Sequence, residues 1–292
     1  MASITSNSTA SPASTVPTSI EPTEDDHTPT VKFTSVQDLF SLINSTPSDA
    51  LTVTNVSPHH FVEIEREREK RRRKFRLRRY SNESQILIIT LPSTLHEVLH
   101  LLIYRQFEKK LFQNNQDDGW TPLGSATFRV SHGHPGGDGG EGDSTGSPTP
   151  ERNINDWPTL VIEAGVSQSL GELHNDMRWW FSMSDHKVKI VLLAKFDRAC
   201  SVIILEKWEE EAQVRQGATT TRSAATLRPI LRQSITIAQN TTTNPISYNV
   251  TRGALVLSFR LLFLRNPGPG EGDFVFSVQD LELYAARVWR AV

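Results

Sequence analysis

The sequence predicts an α/β fold, and three observations carry the prediction. First, an apolar run from Leu160 to Ile162 is closed by Glu163 and broken at Gly165. Leu170, Leu173, Met177, Trp180 and Phe181 follow at helical spacing, and a second apolar run spans Val188 to Ala194. Strand, helix and strand of these lengths suit a crossover unit joining two parallel strands of one sheet. Second, apolar and basic residues alternate from Phe75 to Tyr80, ahead of the turn residues 81–84 and the apolar stretch Gln85–Leu91. That pattern reads as a hairpin with a solvated first strand and a buried second one. Third, Leu95, Val98, Leu99, Leu102 and Ile103 recur as the stripe of an amphipathic helix.

The remaining elements follow in chain order. Residues 1–30, rich in Ser, Thr and Pro, are expected to be a disordered tail. Residues 31–62 supply a helix and a linker, with Ser35 as N-cap and Val36, Leu39, Phe40 and Ile43 on its apolar side. The same pentapeptide, SVQDL, returns at Ser277–Leu281. Residues 63–210 are the expected core. Within it, 125–130 suggests a short strand and 131–152, dense in Gly, reads as a flexible surface loop. Residues 211–292 supply a linker, strands at Leu227–Ile237 and Ala254–Leu264, and a helix over 278–290. Pro229 places the first of these strands at an edge.

Composition narrows the classes of function. The chain has 292 residues, 37% hydrophobic, with a formal net charge of −2. It has no overall charge bias toward nucleic acid or membrane. A single cysteine, Cys200, excludes an internal disulfide and suits a reducing compartment. No apolar run approaches the ~18–20 residues that a membrane span needs, and the N-terminus lacks a signal-peptide pattern. A soluble intracellular protein is expected.

Two motifs carry chemistry. Residues 63–79 read EIEREREKRRRKFRLRR. Arg71, Arg72, Arg73, Lys74, Arg76 and Arg78 are candidates to hold nucleic-acid phosphates, and Lys70–Lys74 also suits a nuclear-import signal. A nuclear or cytoplasmic location follows, according to whether that signal operates. The bland alternative is a solvated charged helix. The second motif is His96-Glu97-Val98-Leu99-His100. On a helix its two His lie one turn apart and can share zinc, with the Glu as general base of a metalloprotease. Thr94 with Glu97 also reads as a capping box, which accounts for the Glu without metal.

The order of a basic strand ending in RRY, then QILIITLP, HE, a Gly-rich stretch with GDS, DWPTLVIEAGVSQSL and NDMRWW before VKIVLL resembles a group of fungal proteins. That group is related to the PD-(D/E)XK restriction-endonuclease-like superfamily, and the resemblance covers about residues 70–210. It implies a core of helix, three-stranded meander, crossover helix and strand. It also implies magnesium- or manganese-dependent phosphodiester hydrolysis, if the site is active. Carried over by motif, Asp143 and Glu163 are the metal-binding acids, with Asp156 as a rival to Asp143, and Glu97 is the helix acid. Gly165 stands where an active nuclease carries Lys, and Arg178 is the candidate replacement, with stacking on a neighbouring indole as its bland reading. Activity is therefore expected to be weak or lost, and a non-catalytic nucleic-acid or protein interaction module is the alternative. With no Lys beside them, Asp143 and Glu163 are expected to repel each other until a divalent cation binds.

Overall fold

The computed structural model describes residues 28–72, 75–130, 137–213 and 226–292. The first part of the chain forms β1 (Thr30–Lys32), α1 (Val36–Ser45), β2 (Ala50–Thr54), α2 (Pro58–Arg71), β3 (Arg76–Ser81), β4 (Ile86–Thr90) and α3 (Thr94–Gln113). The middle forms β5 (Trp120–Gly124), β6 (Thr127–Arg129), β7 (Gly139–Glu141), β8 (Ser144–Pro148), β9 (Leu160–Gly165), α4 (Leu170–Met183) and β10 (Ile190–Asp197). The last part forms β11 (Val202–Gln213), β12 (Thr226–Asn240), β13 (Ser247–Thr251), β14 (Leu255–Leu257), α5 (Phe259–Phe263), β15 (Phe274–Phe276) and α6 (Val278–Val288). Among the described residues, no helix is long and apolar enough to cross a membrane.

The fold is mixed α/β, built on two main sheets. One has the order β1-β2-β4-β3-β7-β6 and the other β13-β12-β11-β10-β9-β8-β5, while β14 and β15 form a separate pair. Residues of α1 and α2 share an apolar cluster with the first sheet. On the second sheet, α3, α5 and α6 pack with Leu160, Ile162 and Ala164 of β9, whereas α4 packs with Val161. The period-two alternation of a strand thus divides β9 between two cores.

The crossover unit lies where the sequence places it. β9 and β10 are parallel neighbours, with Glu163 beside Leu193 and Gly165 beside Lys195, and α4 links them. Ahead of them, β5, β8 and β9 are antiparallel neighbours preceded by α3, with β6 and β7 of the first sheet inserted between β5 and β8. Ser169 caps α4 in a reciprocal box with Glu172. The SVQDL copies both start helices, with Ser35 capping α1 and Ser277 capping α6. Trp157, Trp179, Trp180 and Phe128 form a ring cluster with centroids 5.1–6.1 Å apart, edge-to-face except for the stacked Phe128–Trp157 pair. Each such contact adds about 0.5–1.5 kcal/mol beyond area burial, which makes these indoles core.

Four expectations need correction. The 131–152 stretch is not simply a surface loop, because β7 and β8 run through it and are buried. Its glycines serve close packing: a Cβ on Gly140 would lie 2.5 Å from the Arg78 carbonyl and 2.7 Å from the Trp179 ring, and one on Gly146 2.6 Å from Trp120. Next, β3 is not solvated. It lies between β4 and β7, and Leu77, Arg78 and Tyr80 are buried. The expected Ala254–Leu264 strand ends at Leu257, where α5 takes over; an apolar run alone does not distinguish the two. Finally, segments 31–62 and 211–292 are not appendages, since β1 and β2 extend the first sheet and β12 and β13 the second. Pro229 does lie on an open edge, because β13 pairs only with Thr236–Asn240 of β12.

Candidate functional site

The site begins with β3. A register shift between Arg76 and Arg79 lets this strand send arginines toward the acids of β9, α3 and α4. Arg78 is 1% exposed, and its guanidinium lies 2.9 Å from Glu163 Oε2 and 2.9 Å from Asp176 Oδ2. It also donates to Gln168 Oε1 and to the Ala164 carbonyl. A buried guanidinium is tolerable only with such a set, because desolvating an unpaired charge costs several kcal/mol. Arg79 reaches the other oxygen of Asp176 at 3.5 Å. Trp180 Nε1–H donates to Glu163 Oε1 at 2.6 Å.

Arg76 makes a second bridge. Its two terminal nitrogens lie 2.7 Å from Glu97 Oε1 and 3.1 Å from Asp143 Oδ1. Asp143 Oδ2 accepts the Ala164 N–H at 2.8 Å and lies 3.3 Å from His96 Nε2. His100 Nδ1 pairs with Ser144 Oγ at 2.8 Å, and its Nε2 lies 3.4 Å from Glu97 Oε1. Glu97 is free for this role because the cap of α3 is Ser93, whose Oγ accepts the His96 N–H. The expected Thr94–Glu97 capping box is therefore one residue out of register. Glu97 lines a cleft of about 890 Å³ together with Arg68, Arg72, Arg76, Ser93 and Thr94.

The electrostatics follow this pairing. Burial, with Asp143 and Asp176 nearby, pushes the Glu163 carboxyl up to about 8, against the pull of Arg78 and Trp180. Burial also opposes charge on Asp143, yet His96 and Arg78 hold its carboxyl well below the usual range. Burial likewise disfavours an imidazolium at His96, but Asp143 and Glu97 raise it to about 9. Glu97 is lowered by His100, His96 and Arg76 despite its burial.

The expected residues are therefore only partly brought together. Glu97 and Asp143 meet at Arg76, while Glu163 faces Arg78 and α4. In place of the expected mutual repulsion with no Lys beside them, each acid has an arginine as neighbour. Arg178, the candidate replacement for the missing Lys, is exposed on α4 and donates to Asn175 Oδ1 at 2.9 Å, and among the described residues it stacks on no indole. Asp156, the rival acid, is engaged locally with Asn153. Of the proposed phosphate-binding residues, Arg78 is buried and Arg76 is held by two acids. Arg71 pairs with Glu67 and lies over the Phe40 ring, Arg72 is exposed, and Arg73 and Lys74 lie outside the described residues.

Sequence reasoning missed Arg76 and Arg78 as partners of the acids, and it missed Asp176 and Glu141. Glu141 binds Arg68 through both oxygens at 2.7 and 2.8 Å and accepts the Leu77 N–H. It also missed Lys195, a charged residue between Ala194 and Phe196 of β10. Lys195 is 2% exposed, and its Nζ donates to the Val166 carbonyl at 2.7 Å. Compared with models of known protein families and with curated proteins, the chain matches none.

Proposed function

We propose that the chain is a nuclease-like domain that holds nucleic acid without magnesium-dependent cleavage. The observation that carries this reading is the placement of Arg76 and Arg78 against Glu97, Asp143 and Glu163. A phosphodiesterase of the superfamily that the sequence resembles uses such acids to hold a hard divalent cation, which polarises phosphate and lowers the pKa of bound water. Here each acid already has a fixed guanidinium against one of its oxygens. The order α3, antiparallel β5-β8-β9, crossover α4 and strand β10 supports the kinship. So do the positions of the acids: Glu97 in the first turn of α3, Asp143 just before β8 and Glu163 within β9.

Nucleic acid would be held elsewhere than on the basic run. A groove of about 870 Å³ between α3 and α6 is lined by Arg105, Lys109, Lys110, Arg287 and Arg290, against the acids Glu108 and Asp280. Lys110 pairs with Asp280, while Arg105, Lys109, Arg287 and Arg290 are exposed. Exposed cations along a groove suit a phosphate backbone, whereas arginines already held by acids do not. Anisotropy of a labelled DNA duplex should report binding that weakens steeply with salt. Arg287→Glu with Arg290→Glu should weaken it about 10-fold or more, and Arg72→Glu much less. Equal binding by all these proteins would refute the groove. Magnesium-dependent cutting of the duplex would refute the loss of hydrolysis.

Lys195 favours a second reading, residual hydrolysis. It pairs in register with Gly165, so both point to the same face of the sheet as Glu163. If Lys195 substitutes for the absent Lys, slow cleavage should be abolished by Lys195→Met.

A further inference from the structure

On the opposite face of β9 from Glu163, α3 brings its His pair against Asp143. His96, His100 and Asp143 each offer one donor atom, these atoms all lie within 4.8 Å of one another, and all three residues are buried. His96 and His100 are both 0% exposed. We propose that His96, His100 and Asp143 form a buried site for a borderline divalent transition metal, of which zinc is the natural occupant. This inference shares Asp143 with the nuclease-like reading but rests on the His pair and does not require that reading.

Three observations support it. First, the spacing is right. Residues i and i+4 of a helix project from one face, and the two rings stand 5.6 Å apart between centroids. Zinc bonds of about 2.0–2.2 Å require donors roughly 3.3–3.5 Å apart. His96 Nε2 and Asp143 Oδ2 are already 3.3 Å apart, so only small side-chain shifts are needed.

Second, the histidine nitrogens that face the site make no hydrogen bond of good geometry. Among the described residues, His96 Nδ1 and Nε2 and His100 Nε2 are shut from solvent without a hydrogen bond of acceptable geometry. Unpaired polar atoms in an interior are costly, and a ligated ion would satisfy one nitrogen of each ring. Third, the outer contacts orient the ligands. His100 Nδ1 is held by Ser144 Oγ at 2.8 Å, which leaves Nε2 to face the site. Arg76 takes Asp143 Oδ1 and the Ala164 N–H steadies Oδ2, the oxygen nearest His96. Two nitrogens with one carboxylate favour zinc or cobalt(II) over magnesium, which prefers oxygen donors. Glu97 Oε1, 3.4 Å from His100 Nε2, stands beside the remaining coordination position.

The probe is cobalt(II) added to metal-stripped, full-length protein. One equivalent should give the visible absorption of a low-symmetry nitrogen–oxygen site, and one equivalent of zinc should abolish it. The melting temperature should rise by roughly 5–10 °C at free metal about 100 times the dissociation constant. His100→Gln and Asp143→Asn should each lose both signals. Both proteins should be compared with the wild type by circular dichroism, to separate lost ligation from lost fold. His59, His60 and Glu63 form the other group of close donors among the described residues, and it lies in and beside the partly exposed start of α2. His59→Ala with His60→Ala should therefore keep the cobalt spectrum. Wild-type protein that gives neither spectrum nor melting shift would overturn the proposal. So would signals lost in the His59/His60 variant and kept in His100→Gln.

Discussion

Replacing Arg78 with Met removes the cation that Glu163 and Asp176 share. Met has similar length and no charge, so the packing loss is small and the electrostatic loss dominates. In the native protein Arg78 lies 2.9 Å from a carboxylate oxygen of each acid. Without it, Asp176 keeps only Arg79 at 3.5 Å, and Glu163 keeps only the Trp180 N–H. Breaking a buried ion pair by removing one partner costs about 3–5 kcal/mol. At about 2–4 °C per kcal/mol for a domain of this size, the melting temperature should fall by roughly 6–20 °C. Urea unfolding should show a lower midpoint with an unchanged slope, which marks a change in stability and not in compactness. Adding Asp176→Asn to Arg78→Met should recover part of the loss, because it removes the stranded charge. A fall under about 1 kcal/mol, typical of surface pairs, would refute the description of β3 as the source of buried countercharge.

Two further outcomes follow from the same geometry. Gly140→Ala places a Cβ 2.5 Å from the Arg78 carbonyl and 2.7 Å from the Trp179 ring, so it should destabilise by about 1–3 kcal/mol in urea unfolding. Glu163 should also make stability depend on pH. Its folded value, about 8, lies above the ordinary 4.5, so between these the folded state holds a proton that the unfolded chain releases. That contribution is present at acid pH and fades as pH rises through about 8. Wild-type stability should therefore fall more steeply than that of Glu163→Gln between about pH 5 and 8; parallel curves would contradict the raised value.

The parts of the fold legible in the sequence were those that bury apolar residues with a clear period. β9, α4 and β10 declare themselves through continuous apolar runs around a helical stripe. β7 and β8 do not, because Gly139, Gly140, Gly142 and Gly146 carry no hydrophobic signal. Their packing comes from Trp120, Trp179 and Trp180, whose rings need bare backbone to lie against. β3 was legible as a strand, but its alternation of Arg with apolar residues reads as a wet face. Nothing local reveals that Arg78 is neutralised by Glu163 and Asp176, which lie far along the chain. The site was legible in the same measure. Motif carry-over named Glu97, Asp143 and Glu163, but the arginines that pair with them come from a neighbouring sheet. The His pair was legible by spacing, whereas its third partner, Asp143, was read as part of a loop.

The most direct test of the arginine-paired site is the melting temperature of the wild type with and without millimolar magnesium. Magnesium suits oxygen donors and leaves the His pair aside. With Asp143 held by Arg76 and Glu163 by Arg78, the two curves should superimpose. A rise on adding magnesium that disappears in Glu163→Gln would show that the acids share a cation after all, and would contradict the account.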